Sequence, residues 1–156
     1  MRIMDFLDAE AVEPNLKATD KKGVIEEMVG LLVRAGSVKE ADKTEITRVL
    51  LERESLGSTG IGQSVGIPHG KSDRVDTLVA AFGKSNLGVD FDSLDGAPVH
   101  LFFLLVAPHD SAGPHLKALA RISRLLKDRF FREELKKSME QKALVEIIRA
   151  EDEKVQ

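Results

Sequence analysis

Pro98-Val99-His100-Leu101-Phe102-Phe103-Leu104-Leu105-Val106 is apolar at nearly every position. Side chains alternate between the two faces of a strand, so an unbroken apolar run is greasy on both faces. Such a strand needs cover above and below, which places this stretch at the centre of a sheet. Thr77 to Gly83 reads as a second strand. Asn86-Leu87-Gly88-Val89-Asp90 and Asp95-Gly96 read as turns on either side of a short segment around Phe91.

Downstream, Ala107 to Gly113 reads as a loop, and Pro114 is placed at the first position of a helix, where its missing N–H costs nothing. Leu116, Leu119, Ile122, Leu125 and Leu126 are expected on that helix's buried face. A further helical segment is expected around Phe130 to Lys136. Ser138 and Gln141 form a capping-box pattern for a last helix carrying Leu144, Ile147 and Ile148. The charged tail from Glu151 to Gln156 is expected to fray.

Upstream, Val24, Ile25, Met28, Val29, Leu31 and Leu32 share one face of a predicted helix with Asp20 as N-cap and Gly36 as terminator. A second helix is predicted from about Ala41 to Glu54, with Ile46, Val49 and Leu50 inward and Arg53 in its last turn. Gly57-Ser-Thr-Gly-Ile-Gly-Gln-Ser-Val-Gly-Ile-Pro-His-Gly70 is too rich in glycine for a helix. It reads as a loop and then a short strand near Ser64 to Ile67, ended or held to an edge by Pro68. Strands flanked by helices without regular alternation point to α+β, with a mixed sheet covered by helices, in one domain over residues 1–156.

Composition narrows the function. The 156 residues contain no Cys, which removes disulfides, thiol nucleophiles and thiolate metal sites and fits a reducing cytoplasm. The net charge of −3 comes from well-mixed residues, and there is no Trp or Tyr, so neither a phosphate-binding patch nor a base-stacking platform for nucleic acid stands out. The N-terminus lacks a signal peptide's apolar run, and Leu101 to Pro108 is too short to span a membrane.

The chemistry concentrates in histidines, which titrate near neutrality. His69 follows Ile67-Pro68, which fixes the backbone direction, and precedes Gly70, which lets a bulky group approach the chain. A nucleophilic imidazole needs one bare nitrogen and one held by a hydrogen bond. A phosphoryl group on nitrogen is labile, so a histidine suits passing it on. Pro-His-Gly alone is equally compatible with a structural histidine at a strand end. His115, at a predicted helix start where free N–H groups favour anions, is a candidate second imidazole, or else a first-turn surface residue. Arg53 offers a planar fork for phosphoryl oxygens, and Ser58 and Thr59 offer hydroxyls; a dipole-matched surface arginine is the plainer reading. His109 reads as a solvated loop residue and His100 as a packed or edge residue. The spacing of His100, His109 and His115 matches no standard zinc pattern, so no metal is expected. The glycine loop lacks Gly-Lys-Ser/Thr and the dinucleotide fingerprint, so no nucleotide cofactor is expected.

Arg53-Glu-Ser-Leu-Gly-Ser-Thr-Gly-Ile-Gly-Gln-Ser-Val-Gly-Ile-Pro-His-Gly70 closely resembles the signature of the fructose/mannitol-class enzyme IIA domains (EIIA type 2) of the bacterial phosphoenolpyruvate-dependent phosphotransferase system. Pro98 to Pro108, His115-Leu-Lys-Ala-Leu-Ala120, Asp95-Gly96 and Ile122-Ser-Arg-Leu-Leu126 look like the same family, over roughly Met4 to Ala150. The resemblance implies a three-layer α/β/α sandwich with a mixed sheet between helices, no cofactor, His69 as the phosphorylated residue, His115 beside it and Arg53 as its positive partner. Gly66 stands where the family more often has Ala.

The Gly57-Ser-Thr-Gly-Ile-Gly62 run and the stand-alone length look most like the nitrogen-regulatory branch. By this resemblance the chain is expected to be a cytoplasmic phosphocarrier. It would be charged on His69 by an HPr-type phosphocarrier, with Arg53, His115, Ser58, Thr59 and Gly70 around the phosphoryl group. Its output would be either binding of regulatory targets according to phosphorylation state or transfer to a IIB domain for sugar uptake.

Overall fold

In the computed structural model, which describes residues 1–155, β6 (Val99–Ala107) lies at the centre of the sheet. Its side chains alternate between two cores. Leu101, Phe103 and Leu105 face one apolar cluster, and Phe102, Leu104 and Val106 face the other. The first cluster is closed by helices α3 (Ala112–Leu125), α4 (Arg129–Lys137) and α5 (Gln141–Glu153). The second is closed by α1 (Lys21–Arg34) and α2 (Lys43–Ser55). The result is the α/β/α arrangement, α+β with a mixed six-stranded sheet.

The strand order is β1-β5-β6-β3-β2, with β4 also on β6. β1 (Leu7–Glu13) runs parallel to β5 (Val79–Val89), and β5 runs antiparallel to β6. β3 (Val65–Gly66) and β4 (His69–Lys71) both run parallel to β6, one after the other along the same edge, with Pro68 between them. Pro68 cannot donate, but its carbonyl accepts from the Leu105 N–H at 3.0 Å, so the ladder is kept across the break.

Asp20 caps α1 by accepting from the Gly23 N–H at 2.8 Å, and Gly36 leaves the helix with φ +78°. Other expectations need correction. The glycine stretch contains two strands besides β3. β2 (Gly60–Gly62) folds back on β3 through Gln63 and Ser64, both at positive φ, and β4 begins at His69 itself. β5 does not stop at Gly83 but continues to Val89, with a shift in register between Lys84 and Val89, a stretch in which Gly88 has φ +84°. α3 starts at Ala112, which puts Pro114 at its third position, still within the turn whose N–H groups lack helical partners. Leu116 is 68% exposed, and the buried stripe of α3 is His115, Ala118, Ile122 and Leu125.

No capping box opens α5. Its N-cap is Glu140 without a side-chain bond, while Gln141 Nε2 donates to the Ala9 and Val12 carbonyls, both at 3.1 Å. The tail is not frayed over its described part. α5 continues to Glu153, and Asp152 is 1% exposed and paired with Arg121; Gln156 lies outside the described residues. Lys84, also buried, sends its ammonium to the Lys136 and Ser138 carbonyls and so closes the C-terminal end of α4.

Candidate functional site

His69 opens β4 opposite Leu105, so its ring lies on the α3 side of the sheet, while Gly70, opposite Val106, faces α2. The two helical layers meet here at the open edge of β4. Arg53, His69, Gly70, His109 and His115 line one groove of about 760 Å³, together with Lys71 and the exposed side chain of Leu56.

His69 Nδ1 donates to the Ile67 carbonyl at 2.7 Å, taking the tautomer that this carbonyl requires. That leaves Nε2 as a lone-pair nitrogen. Burial lowers the pKa of His69. The Ile67 carbonyl opposes that shift, and the nearby Arg53 charge adds to it. The neutral ring, the form that can act as a nucleophile, is therefore favoured at neutral pH.

The His115 ring stands edge-on to His69, with centroids 5.6 Å apart and planes at 74°. His115 is 5% exposed, and its Nε2 is buried without a hydrogen-bond partner. Burial first, then the charges of His69 and Lys71, push its pKa down to about 4. His115 thus lines the groove as a neutral imidazole, with one buried nitrogen that no protein group satisfies. The His115 N–H itself closes the first helical turn on Ser111 at 3.0 Å, so the free backbone donors of α3 are those before it. Ala112, first residue of α3, lines the groove, and the positive end of the helix dipole lies there.

Arg53, in the last turn of α2, donates from Nη1 to the Gly57 carbonyl at 2.9 Å. On the same groove wall Arg48 is engaged by Glu45 and Glu52, each at 2.7 Å. Ser58 and Thr59 do not line the groove. The Ser58 hydroxyl donates to the Phe91 carbonyl at 2.6 Å, and the buried Thr59 hydroxyl donates to Glu54. Gly70 is buried, and a Cβ there would meet Leu50 and Val49 at 3.3 Å. Its bareness lets α2 approach, which differs from the expected role of making room for a phosphoryl group. His100 lies at the far end of β6, where its Nδ1 is 3.3 Å from the Ser64 hydroxyl. Among the described residues no group of three His, Asp or Glu side chains is placed to hold a metal ion, and no helix is long and apolar enough to cross a membrane.

Sequence reasoning passed over Glu54. Its signal was positional: Ile46, Leu50 and Glu54 fall on one helical stripe, so the carboxylate had to be buried.

The fold and sequence have clear relatives. The chain is 38% identical over 148 residues to the nitrogen regulatory protein of Bradyrhizobium diazoefficiens, covering 95% of each chain. It is 39% identical to the fructose-specific EIIA component of Haloferax volcanii, covering 95% of this chain and 98% of that one. Its structure superposes on the nitrogen regulatory protein IIA-Ntr of Neisseria meningitidis with a TM-score of 0.84 and 32% identity, over 94% of this chain and 98% of that one. With the model of the "Phosphoenolpyruvate-dependent sugar phosphotransferase system, EIIA 2" family matching residues 5–151, the chain belongs to that family, whose members act as phosphotransfer proteins.

Proposed function

We propose that this chain accepts a phosphoryl group on Nε2 of His69 from an HPr-type phosphocarrier. The observation that carries the reading is the Nδ1–H bond to the Ile67 carbonyl, which leaves Nε2 as the lone-pair nitrogen in a groove shared with Arg53 and His115. As the donor's N–P bond breaks, the Nε2–P bond forms, and the donor imidazole recovers its lone pair. His69 keeps its Nδ1 proton, and the ring's new positive charge is met by the Ile67 carbonyl. Arg53 and the unspent His115 nitrogen supply charge and a hydrogen bond to the phosphoryl oxygens. No metal or nucleotide takes part. Ser58 and Thr59, with hydroxyls committed elsewhere, support the loop and do not bind the phosphoryl group directly.

His69→Ala is expected to abolish acid-labile labelling by the phosphorylated carrier, and His115→Ala or Arg53→Ala to slow it by about 10²-fold, the cost of removing one charge-stabilising donor. Full labelling of His69→Ala would defeat the assignment.

The output we propose is nitrogen-type regulation in the cytoplasm, with target proteins bound according to the charge at position 69. A second reading, transfer to a IIB domain during fructose- or mannitol-type uptake, draws on the equally similar fructose-specific relative, whose comparable length removes chain length as a criterion. Incubating the phosphorylated chain with purified IIB domains separates the two. Label that stays on the chain favours regulation, and rapid transfer favours uptake.

A further inference from the structure

Glu54 follows Arg53 but points the other way, into the protein, and is 5% exposed. A carboxylate taken out of water needs partners. Glu54 has three donors: the Thr59 N–H at 2.9 Å, the Thr59 hydroxyl at 2.5 Å and Lys21 Nζ at 3.0 Å. Lys21 is itself fixed, 3.0 Å from Asp92 and 4.8 Å from the centre of the Phe91 ring. The carboxylate is thus pinned between the start of α1 and the end of the glycine turn.

Two routes lead from this anchor to the site. Along the first, the Thr59 carbonyl accepts from the Ile67 N–H at 3.0 Å, and the Ile67 carbonyl accepts from His69 Nδ1 at 2.7 Å. Carboxylate, Thr59 backbone, Ile67 backbone and imidazole are thus tied one to the next by hydrogen bonds, with the Cα of Thr59 and of Ile67 completing the path. Along the second, Glu54 and Thr59 clamp both ends of the turn that contains Gly57, whose carbonyl holds the Arg53 guanidinium at 2.9 Å.

We infer that Glu54 is a positioning residue for phosphoryl transfer: its buried carboxylate, anchored by Lys21, orients the His69 ring through Thr59 and Ile67 and holds Arg53 in reach through the turn. The inference rests on His69 being the phosphoryl acceptor. Its electrostatics agree with its geometry. Glu54 attracts a proton to His69 while burial and Arg53 repel it. The phosphorylated ring is cationic, so a fixed negative charge at the end of the chain favours the charged product.

The test compares Glu54→Gln with wild type, and Thr59→Val as a milder variant that keeps the backbone donor. Two measurements are made: nitrogen NMR of the His69 ring in the unphosphorylated protein, and phosphorylation by phosphoramidate and by a phosphorylated HPr-type carrier. Expected for Glu54→Gln are a weaker Nδ1–H tautomer preference, titration of His69 at lower pH, and a saturated phosphorylation rate down at least tenfold. Half-saturation by the carrier should change less than twofold. Thr59→Val should fall between, and Thr59→Ser should restore the wild-type tautomer and rate. If Glu54→Gln or Thr59→Val melts earlier but leaves tautomer, titration and saturated rate at wild-type values, Glu54 is only a staple for the turn and the inference is overturned. If instead the wild-type protein takes no label on His69 from either donor, the phosphoryl-acceptor reading fails, whether or not the ring responds to Glu54.

Discussion

At the scale of single residues, the arrangement of His115 has a consequence for pH. Its pKa of about 4 in the folded protein lies below the ordinary 6.5, because burial and the neighbouring His69 and Lys71 disfavour the cation. Between those two values the unfolded chain binds a proton that the folded protein refuses, so stability falls as pH drops. Above 6.5 both states are neutral, and below about 4 both are charged, so the contribution is full above the window and lost beneath it. His69 is shifted in the same direction, with burial again the first cause, and adds to the slope. Urea midpoints measured from pH 8 to pH 4 should therefore fall for the wild type and fall less for His115→Gln. Parallel curves would mean that the His115 ring is freely solvated. Phosphorylation should persist somewhat below pH 6.5, since the neutral acceptor survives there.

At the scale of elements, the glycine stretch shows what the sequence could and could not tell. The helices were legible because the apolar stripes of α1 and α2 repeat with helical spacing, and β6 because nine consecutive residues leave it no exposed face. β2 and β4 are three residues each, with hardly an apolar side chain between them. Their conformation comes from neighbours, β3 for one and the edge of β6 for the other, and no local pattern encodes that. β1 escaped for a related reason: a break in its pairing to β5 leaves the burial pattern irregular. That Arg53, His69 and His115 share one groove follows from residues whose chemistry stands out in the sequence, whereas a hydroxyl in a sequence carries no sign of the carbonyl or carboxylate that holds Ser58 and Thr59 away from that groove. Gly70 is the junction of these elements, since α2 rests Leu50 and Val49 against its bare backbone. Gly70→Val would drive branched methyls into that contact, costing about 1–3 kcal/mol as overpacking. The displaced α2 carries Arg53 with it, so phosphorylation should slow along with the loss in denaturant midpoint. A variant that loses stability but labels at the wild-type rate would show that Arg53 is positioned by its own turn and not by α2.

At the scale of the whole molecule, the site lies where two independently packed layers meet, and each layer must be fixed to the sheet for His69 to face both partners. The α2 layer is fixed through Gly70. The α3 layer has its own apolar anchor in Ala118, Ile122 and Leu125, and a polar one at the end remote from His115. There Arg121 Nε reaches Asp152 at 2.5 Å, and Arg121 Nη2 reaches the Asp152 and Val155 carbonyls at 3.0 and 3.2 Å. The other oxygen of Asp152 takes the Ile3 N–H at 2.7 Å. One buried carboxylate thus joins residues near both ends of the described chain to the helix that carries the second imidazole. Asp152→Ala would strand a largely buried guanidinium and a buried N–H, a loss on the order of 3–5 kcal/mol. The rate of His69 labelling, measured well below the lowered melting temperature, should nonetheless stay within twofold. Arg121 lies six residues beyond His115, roughly 9 Å along the helix axis, and the apolar stripe of α3 between them still seats the helix on β6. A large drop in labelling by a variant that is still fully folded at the assay temperature would show instead that the polar clamp, and not the apolar face, sets where His115 stands.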